Sequence, residues 1–143
     1  MAYTGETIDV TSTLQRLDQS ARQQGFDCFT LVEQAGTIIP YYTRKAETDS
    51  APRIYVSTGM HGDEPAGPLA VLDLLEGEQL CRDIDWTLFP MLNPAGLKLN
   101  QRENHEGADL NRDYKEPATK EVQAHTEFIH GSEPWDLGVV VRW

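Results

Sequence analysis

Short apolar segments alternate with segments of helical period through most of the sequence after residue 50. "RIYVSTG" (53–59), "DWTLFPML" (85–92) and "LGVVV" (137–141) are typical of buried strands. The spacing of apolar residues predicts helices between them, at "PAGPLAVLDLLEGE" (65–78) and "EPATKEVQAHTEFIHG" (116–131). Because strands that alternate with helices form a sheet covered by helices, the order predicts an α/β fold with a largely parallel sheet.

The N-terminal part predicts one helix followed by two strands. "TSTLQRLDQSARQQG" (11–25) has helical period, and Thr11 or Ser12 is a candidate cap. "FDCFTLVEQAGTIIPYYTRK" (26–45) predicts two strands joined at the turn 34–36, where Gly is well suited.

Composition excludes several classes of function. The chain of 143 residues carries 23 acidic and 12 basic side chains, a formal net charge of −11, which argues against nucleic acids and anionic membranes as partners. The sequence has no apolar run long enough to span a membrane, and its first ten residues lack the features of a secretory signal, so a cytoplasmic location is expected. Cys28 and Cys81 are far apart, and we expect two reduced thiols.

A histidine and a glutamate three residues apart follow the strand at 53–59. In "MHGDEPAG", His61 and Glu64 stand where the chain leaves a strand and enters a helix. In α/β sheets such strand ends are where binding sites form. An imidazole and a carboxylate at this spacing can bind one divalent cation, and a His/Glu set is typical of catalytic zinc. Asp63 between them is expected to cap the helix or to hold the second nitrogen of the histidine.

A polar segment with two arginines, "LNQRENHEGADLNRDY" (99–114), has little helical period. Arg112 can grip a carboxylate through two hydrogen bonds, and Arg102 can stabilise an oxyanion. Leu110 and Tyr114 are expected to anchor this segment on a packed wall.

Together, "HGDEPAG", "LNPAG" and "RENHEGADLNRDY" resemble the zinc carboxypeptidase superfamily over about residues 53–141. The resemblance extends to bacterial metallocarboxypeptidases and to the related succinylglutamate desuccinylase/aspartoacylase group. It implies a three-layer α/β/α fold with a mixed, largely parallel sheet and one Zn²⁺ ion. It also implies roles for five residues: His61 and Glu64 as zinc ligands, Arg102 as the catalytic residue that polarises the scissile carbonyl, and Asn111 and Arg112 as the pair that binds the substrate carboxylate.

The sequence departs from the family pattern at the third zinc ligand. The family supplies a second histidine at the end of the strand that "PWDLGVVV" resembles, but Arg142 and Trp143 follow there. We therefore expect residues 1–143 to be a truncated, N-terminal portion of the catalytic domain, with an incomplete zinc site and no catalytic glutamate. The other histidines are not expected to be ligands. We expect His105 to be a solvated loop residue and His125 to pair with Glu121 on a helix. His130 is expected at the C-terminus of that helix.

The resemblance leaves three functions open. The first is a zinc-dependent hydrolase that removes the C-terminal residue of a peptide, inactive as this chain. The second is an N-acyl-amino-acid deacylase, and the third is a non-catalytic remnant. In the first two cases the substrate carries a free carboxylate. A sheet interrupted at "LGVVV" would leave an unpaired edge, through which the chain is expected to self-associate.

Overall fold

The computed structural model describes residues 8–142. Residues 1–7, on which the expectation of no secretory signal partly depends, lie outside the described part of the chain. The five helices are α1 (Val10–Gln23), α2 (Ala66–Glu76), α3 (Pro94–Leu99), α4 (Leu110–Asp113) and α5 (Lys120–His130) among the described residues. The five strands are β1 (Asp27–Gln34), β2 (Thr37–Arg44), β3 (Arg53–Ser57), β4 (Asp85–Phe89) and β5 (Leu137–Val140) in the same part of the chain.

The strands form one mixed sheet in the order β1-β2-β4-β3-β5. β1 pairs antiparallel with β2, and β2 pairs antiparallel with β4. β3 lies parallel to both β4 and β5. The predicted mixed α/β sheet is confirmed, although parallel and antiparallel pairings are equal in number among the described strands. The tight turn between β1 and β2 makes that pair antiparallel, and β2 then joins the rest of the sheet by pairing antiparallel with β4.

Helices cover both faces of this sheet. On one face α1, α2 and α3 pack over a core that includes Leu17, Leu72 and Leu88. On the other face α4 and α5 pack over a second core that includes Phe89 and Val122. The arrangement is the predicted three-layer α/β/α fold.

The boundaries of several elements differ from those predicted. Asp9 caps α1 by accepting from the backbone N–H of Ser12, so neither Thr11 nor Ser12 is the cap. The "NPAG" segment (93–96) begins the short helix α3, which the apolar spacing did not predict, because Asn93 caps it and a proline fits its first position. α5 begins after Thr119, whose hydroxyl accepts from the N–H of Val122, and not at the upstream proline.

No helix within residues 8–142 is both long enough and apolar enough to cross a membrane. Cys28 and Cys81 are free thiols, as predicted.

Candidate active site

The loop after β3 extends the parallel pairing of β3 with β4. The N–H of Thr58 donates to the carbonyl of Phe89 at 2.9 Å, and the carbonyl of Thr58 accepts from the N–H of Leu92 at 3.1 Å. The carbonyl of Gly59 then accepts from the N–H of Asn93 at 2.8 Å. Two strand ends therefore run together up to the point at which His61 begins the site.

Gly62, directly after His61, has no space for a side chain. A Cβ atom at Gly62 would overlap the backbone of Gly96 in α3 and the carbonyl oxygen of Gln101. The N–H of Gly62 donates to the carbonyl of Arg102 at 3.3 Å. This close approach brings the segment that carries Arg102 directly against the segment that carries His61.

Asn93 joins three parts of the site. Its side-chain oxygen accepts from the N–H of Gly96 at 2.9 Å, which caps α3. Its amide nitrogen donates to the carbonyls of Met60 at 3.1 Å and Glu103 at 3.2 Å. Asn93 is 1% exposed. Asn93 stands in the motif "LNPAG", but the connection that it makes between the His61 and Arg102 loops depends on long-range contacts that a local pattern does not show.

His61 lies between two carboxylates. Its Nδ1 is 3.2 Å from Oε2 of Glu64, and its Nε2 is 3.5 Å from Oδ1 of Asp109. His61 is buried, and within the described residues its Nε2 has no hydrogen-bond partner at normal distance. Asp63 is exposed, and the carboxylate nearest Nε2 of His61 belongs to Asp109. Asp109 therefore occupies the position beside the histidine that was expected for Asp63. Asp109 was missed because 48 residues separate it from His61 in sequence.

The donors of His61 and Glu64 suit a zinc ion. Two ligands at zinc distances of about 2.0–2.2 Å in a tetrahedron lie roughly 3.3 Å apart, close to the 3.2 Å between Nδ1 and Oε2. Asp109 faces the opposite nitrogen, as the carboxylate partners of metal-bound histidines do. Between residues 8 and 142, no three His, Cys, Asp or Glu side chains are grouped to hold a metal ion. The described part of the chain therefore offers two ligands.

Arg102 links the two carboxylates beside His61. Its Nη1 is 3.7 Å from Oε1 of Glu64, and its Nε donates to Oδ2 of Asp109 at 3.2 Å. Burial raises the pKa of the Asp109 carboxyl, but the hydrogen bond and charge of Arg102 outweigh it, with help from the backbone of Arg112 and from His61, so that this pKa lies below its ordinary value. Asp109 therefore stays ionised at neutral pH.

Asn111 and Arg112 lie in α4, the short helix that Asp109 caps by accepting from the N–H of Asn111 at 3.0 Å. The Arg112 side chain is 86% exposed, and its Nε is 3.7 Å from Oδ2 of Asp109. A carboxylate ligand can reach it without displacing packed groups. Leu110, 1% exposed, anchors the helix in the core as predicted.

A pocket of about 200 Å³ opens beside α4 and β5. Its wall includes Asn111, Tyr114 and His125. The predicted ion pair of His125 with Glu121 is wrong: His125 is 3% exposed, and its ring nitrogens contact the hydroxyls of Tyr55 and Tyr114. Burial lowers the pKa of His125 to about 4, so it is neutral at pH 7.

Comparison with known proteins shows the family. The model of the succinylglutamate desuccinylase/aspartoacylase catalytic domain matches residues 50–130, more than half of the chain. The chain therefore belongs to this family, and the resemblance inferred from "HGDEPAG" and "RENHEGADLNRDY" is confirmed.

Three similar proteins are described as carboxypeptidases or metallopeptidases. Carboxypeptidase SOL1 of Arabidopsis thaliana is 27% identical over 88 residues, which cover 54% of this chain and 18% of the relative. A Shewanella denitrificans protein assigned to the metallopeptidases is 27% identical with a TM-score of 0.75, covering 85% of this chain and 47% of that one. A metallo-carboxypeptidase of Pseudomonas aeruginosa, in complex with (2-guanidinoethylmercapto)succinic acid, is 26% identical with a TM-score of 0.71, covering 89% of this chain and 38% of that one. The chain thus spans less than half of the length of these relatives.

Proposed function

We propose that these residues are the N-terminal part of a zinc-dependent hydrolase that removes the C-terminal residue of a peptide. The observation that carries the proposal is the 3.2 Å approach of His61 Nδ1 to Glu64 Oε2, with the guanidinium of Arg102 3.7 Å from the same carboxylate. Metal donors and an oxyanion donor then lie side by side, which is the combination that amide hydrolysis needs.

Each residue has a distinct task in this proposal. Zinc held by His61 and Glu64 would supply Lewis acidity toward an amide carbonyl and its attacking water. Asp109 fixes the imidazole of His61 through Nε2. Arg102 donates hydrogen bonds to the oxygen on which negative charge develops. Asn111 and the exposed Arg112 hold the substrate carboxylate by charge-assisted hydrogen bonds.

The second candidate function is an N-acyl-amino-acid deacylase. The match to the succinylglutamate desuccinylase/aspartoacylase catalytic domain favours it. Both substrate classes present a free carboxylate near the scissile amide, so α4 serves either. The third candidate is a non-catalytic protein that only binds a carboxylate ligand, and the lack of a third metal donor among residues 8–142 favours it.

The first test is zinc content. With two protein ligands where catalytic zinc normally has three, we expect the chain to lose zinc on extensive dialysis, and we propose that it has no hydrolase turnover. Elemental analysis measures the zinc that remains, with His61→Ala as the variant and His130→Ala as the matched control. Stoichiometric zinc that disappears in His61→Ala alone would show that a further residue completes the site.

The second test separates ligand classes by nuclear magnetic resonance titration in the presence of zinc. The probes are (2-guanidinoethylmercapto)succinic acid, N-succinylglutamate, and a blocked dipeptide with either a free or an amidated C-terminus. We expect the free acids to bind and the amide to bind at least tenfold more weakly, because it lacks the charge that Arg112 recognises. Arg112→Ala should weaken the free acids about tenfold or more, and Arg102→Ala much less. Equal binding of acid and amide would contradict the role assigned to α4.

A further inference from the structure

The loop that carries Arg102 is folded around one buried side chain, Asn104. Asn104 is 0% exposed. Its side-chain oxygen accepts from the N–H groups of Glu106 and Ala108, each at 2.9 Å. Its N–H donates to the carbonyl of Ala108 at 2.9 Å, and its carbonyl accepts from the N–H of Gly107 at 3.1 Å. These bonds close the loop on itself and leave the amide nitrogen of Asn104 to make contact elsewhere.

That contact is with Glu121 in α5. The amide nitrogen of Asn104 donates to Oε1 of Glu121 at 3.1 Å. Glu121 is 4% exposed, and its Oε2 is buried without a hydrogen-bond partner among residues 8–142. The Nδ1 of His105, whose side chain is 29% exposed, lies 3.8 Å from Oε1. A buried carboxylate is costly unless its hydrogen bonds compensate. The bond to Asn104 is the compensation that the geometry shows.

Rigid elements stand on both sides of this contact. α5 packs on the sheet through Val122, the next residue, which is 1% exposed. On the far side of the loop, the carbonyl of Arg102 accepts from the N–H of Gly62 at 3.3 Å. The Arg102 loop is therefore held between α5 and the His61 loop, and Glu121 is its tie to α5.

We propose that Glu121 is a positioning residue that acts through Asn104. It holds the loop in the conformation that keeps the guanidinium of Arg102 against Glu64 and Asp109. The inference rests on the proposed function for the role of Arg102, but the geometry that it predicts is measurable without catalysis.

Limited trypsin digestion under native conditions tests this inference on the 143-residue chain. The bond after Arg102 reports opening of the loop, and the bond after Arg112 is the internal standard. Glu121→Ala removes the acceptor for Asn104, and we expect cleavage after Arg102 to accelerate about tenfold or more relative to cleavage after Arg112. Glu121→Gln keeps an oxygen acceptor and should cleave within about threefold of wild type. Glu121→Leu also removes the acceptor but fills the buried site without leaving a cavity. It should show the same acceleration, and it replaces Glu121→Ala in the test if the alanine variant does not fold.

A second readout follows Arg102 itself. In Glu121→Ala or Glu121→Leu, the Nε–H resonance of Arg102 should shift and lose protection from solvent exchange, and Glu121→Gln should restore it. If both cleavage sites accelerate equally in every variant, Glu121 is a general stability residue and the inference is overturned. Unchanged cleavage and an unchanged Arg102 resonance in the Ala and Leu variants overturn it as well. If the free acids failed to bind wild type in the presence of zinc, the proposed function would be overturned, while the digestion result would stay intact.

Discussion

The ends of two neighbouring parallel strands differ sharply in their surroundings. After β3 (Arg53–Ser57) the chain enters a loop in which residues 58–62 are all buried, and the backbone of Thr58 and Gly59 is hydrogen bonded to β4 and the segment that follows it. In β5 (Leu137–Val140) all four residues are exposed, although the strand pairs with β3. The outer edge of β5 and its apolar side chains face solvent, including Leu137 at 53% and Val140 at 46% exposure.

This difference separates two halves of the candidate site. The half built on β3 is held by contacts with three segments later in the chain: the α3 cap, the Arg102 loop and the α4 cap. The half at β5 has an apolar groove of about 270 Å³ on one face and the Asn111 pocket on the other. Packing therefore holds His61, Glu64 and Arg102 in place, while the surface beside β5 is open to solvent.

The largest expected effect is a matched pair of glycine substitutions in the two regions. Gly62→Ala places a methyl group into the backbone of α3, and we expect it to destabilise the fold by about 3 kcal/mol or more. Gly138→Ala in β5 meets only a ring atom of Tyr55 at 4.0 Å, and should change stability by less than about 1 kcal/mol. Urea denaturation measures both variants. Similar losses in the two would remove the contrast between the regions.

The next largest effect is a dependence of folding stability on pH, which arises from His125 beside β3. His125, buried against Tyr55 of β3, has its pKa lowered to about 4 by burial. The unfolded chain binds a proton near pH 6.5 that the folded chain does not bind until about pH 4, so stability falls as the pH drops through this window. The loss should approach roughly 3 kcal/mol at pH 4.

Denaturant unfolding between pH 7 and pH 4 checks this expectation. His125→Gln should flatten the curve over the window, and His130→Gln, at the exposed end of the same helix, is the control for removing a histidine. A wild-type curve that is already flat would show that the ring is not held neutral.

The smallest effect on folding concerns the edge of β5. We expect the chain to associate through this edge, and Val139→Lys to suppress association with a cost to monomer stability below about 1 kcal/mol, because lysine at an edge opposes strand pairing. Thr30→Lys, in β1 at the opposite edge, adds the same charge and should leave association unchanged. Sedimentation velocity over a range of concentrations measures the association of the wild-type chain and of both variants. A monomeric wild-type chain would contradict the expectation.

Local patterns predicted most of the fold. The period of apolar residues located β3, α2, β4, α5 and β5, and the turn at 34–36 located the hairpin. The predicted boundaries were less accurate where a cap decides them, as at Asp9 and Thr119, because several nearby residues can play that part. The alternation of strands and helices predicted the parallel pairings of β3 with β4 and β5, but it did not show the antiparallel pairing of β2 with β4.

The sequence predicted the candidate metal-binding and oxyanion-binding residues but not the residues that position them. His61, Glu64 and Arg102 carry recognisable chemistry, and the fold brings Glu64 within 4 Å of both His61 and Arg102. Asn93, Asp109 and Glu121 act by contacts with residues far along the chain, which spacing does not reveal. His125 was misjudged for the same reason: its spacing from Glu121 fits an exposed helix pair, but burial decides otherwise.

The position of Arg102 has a consequence for how the site is loaded. With its guanidinium 3.7 Å from Glu64 and 3.2 Å from Asp109, it serves as an internal counter-ion for both carboxylates. The one positive charge of Arg102 offsets half of the negative charge of the two carboxylates beside His61. In small zinc domains, by contrast, metal binding supplies the free energy of folding. Here hydrogen bonds of Asn93 and Asn104 hold the loops of the site, so we expect folding to depend less on metal than it does in such domains.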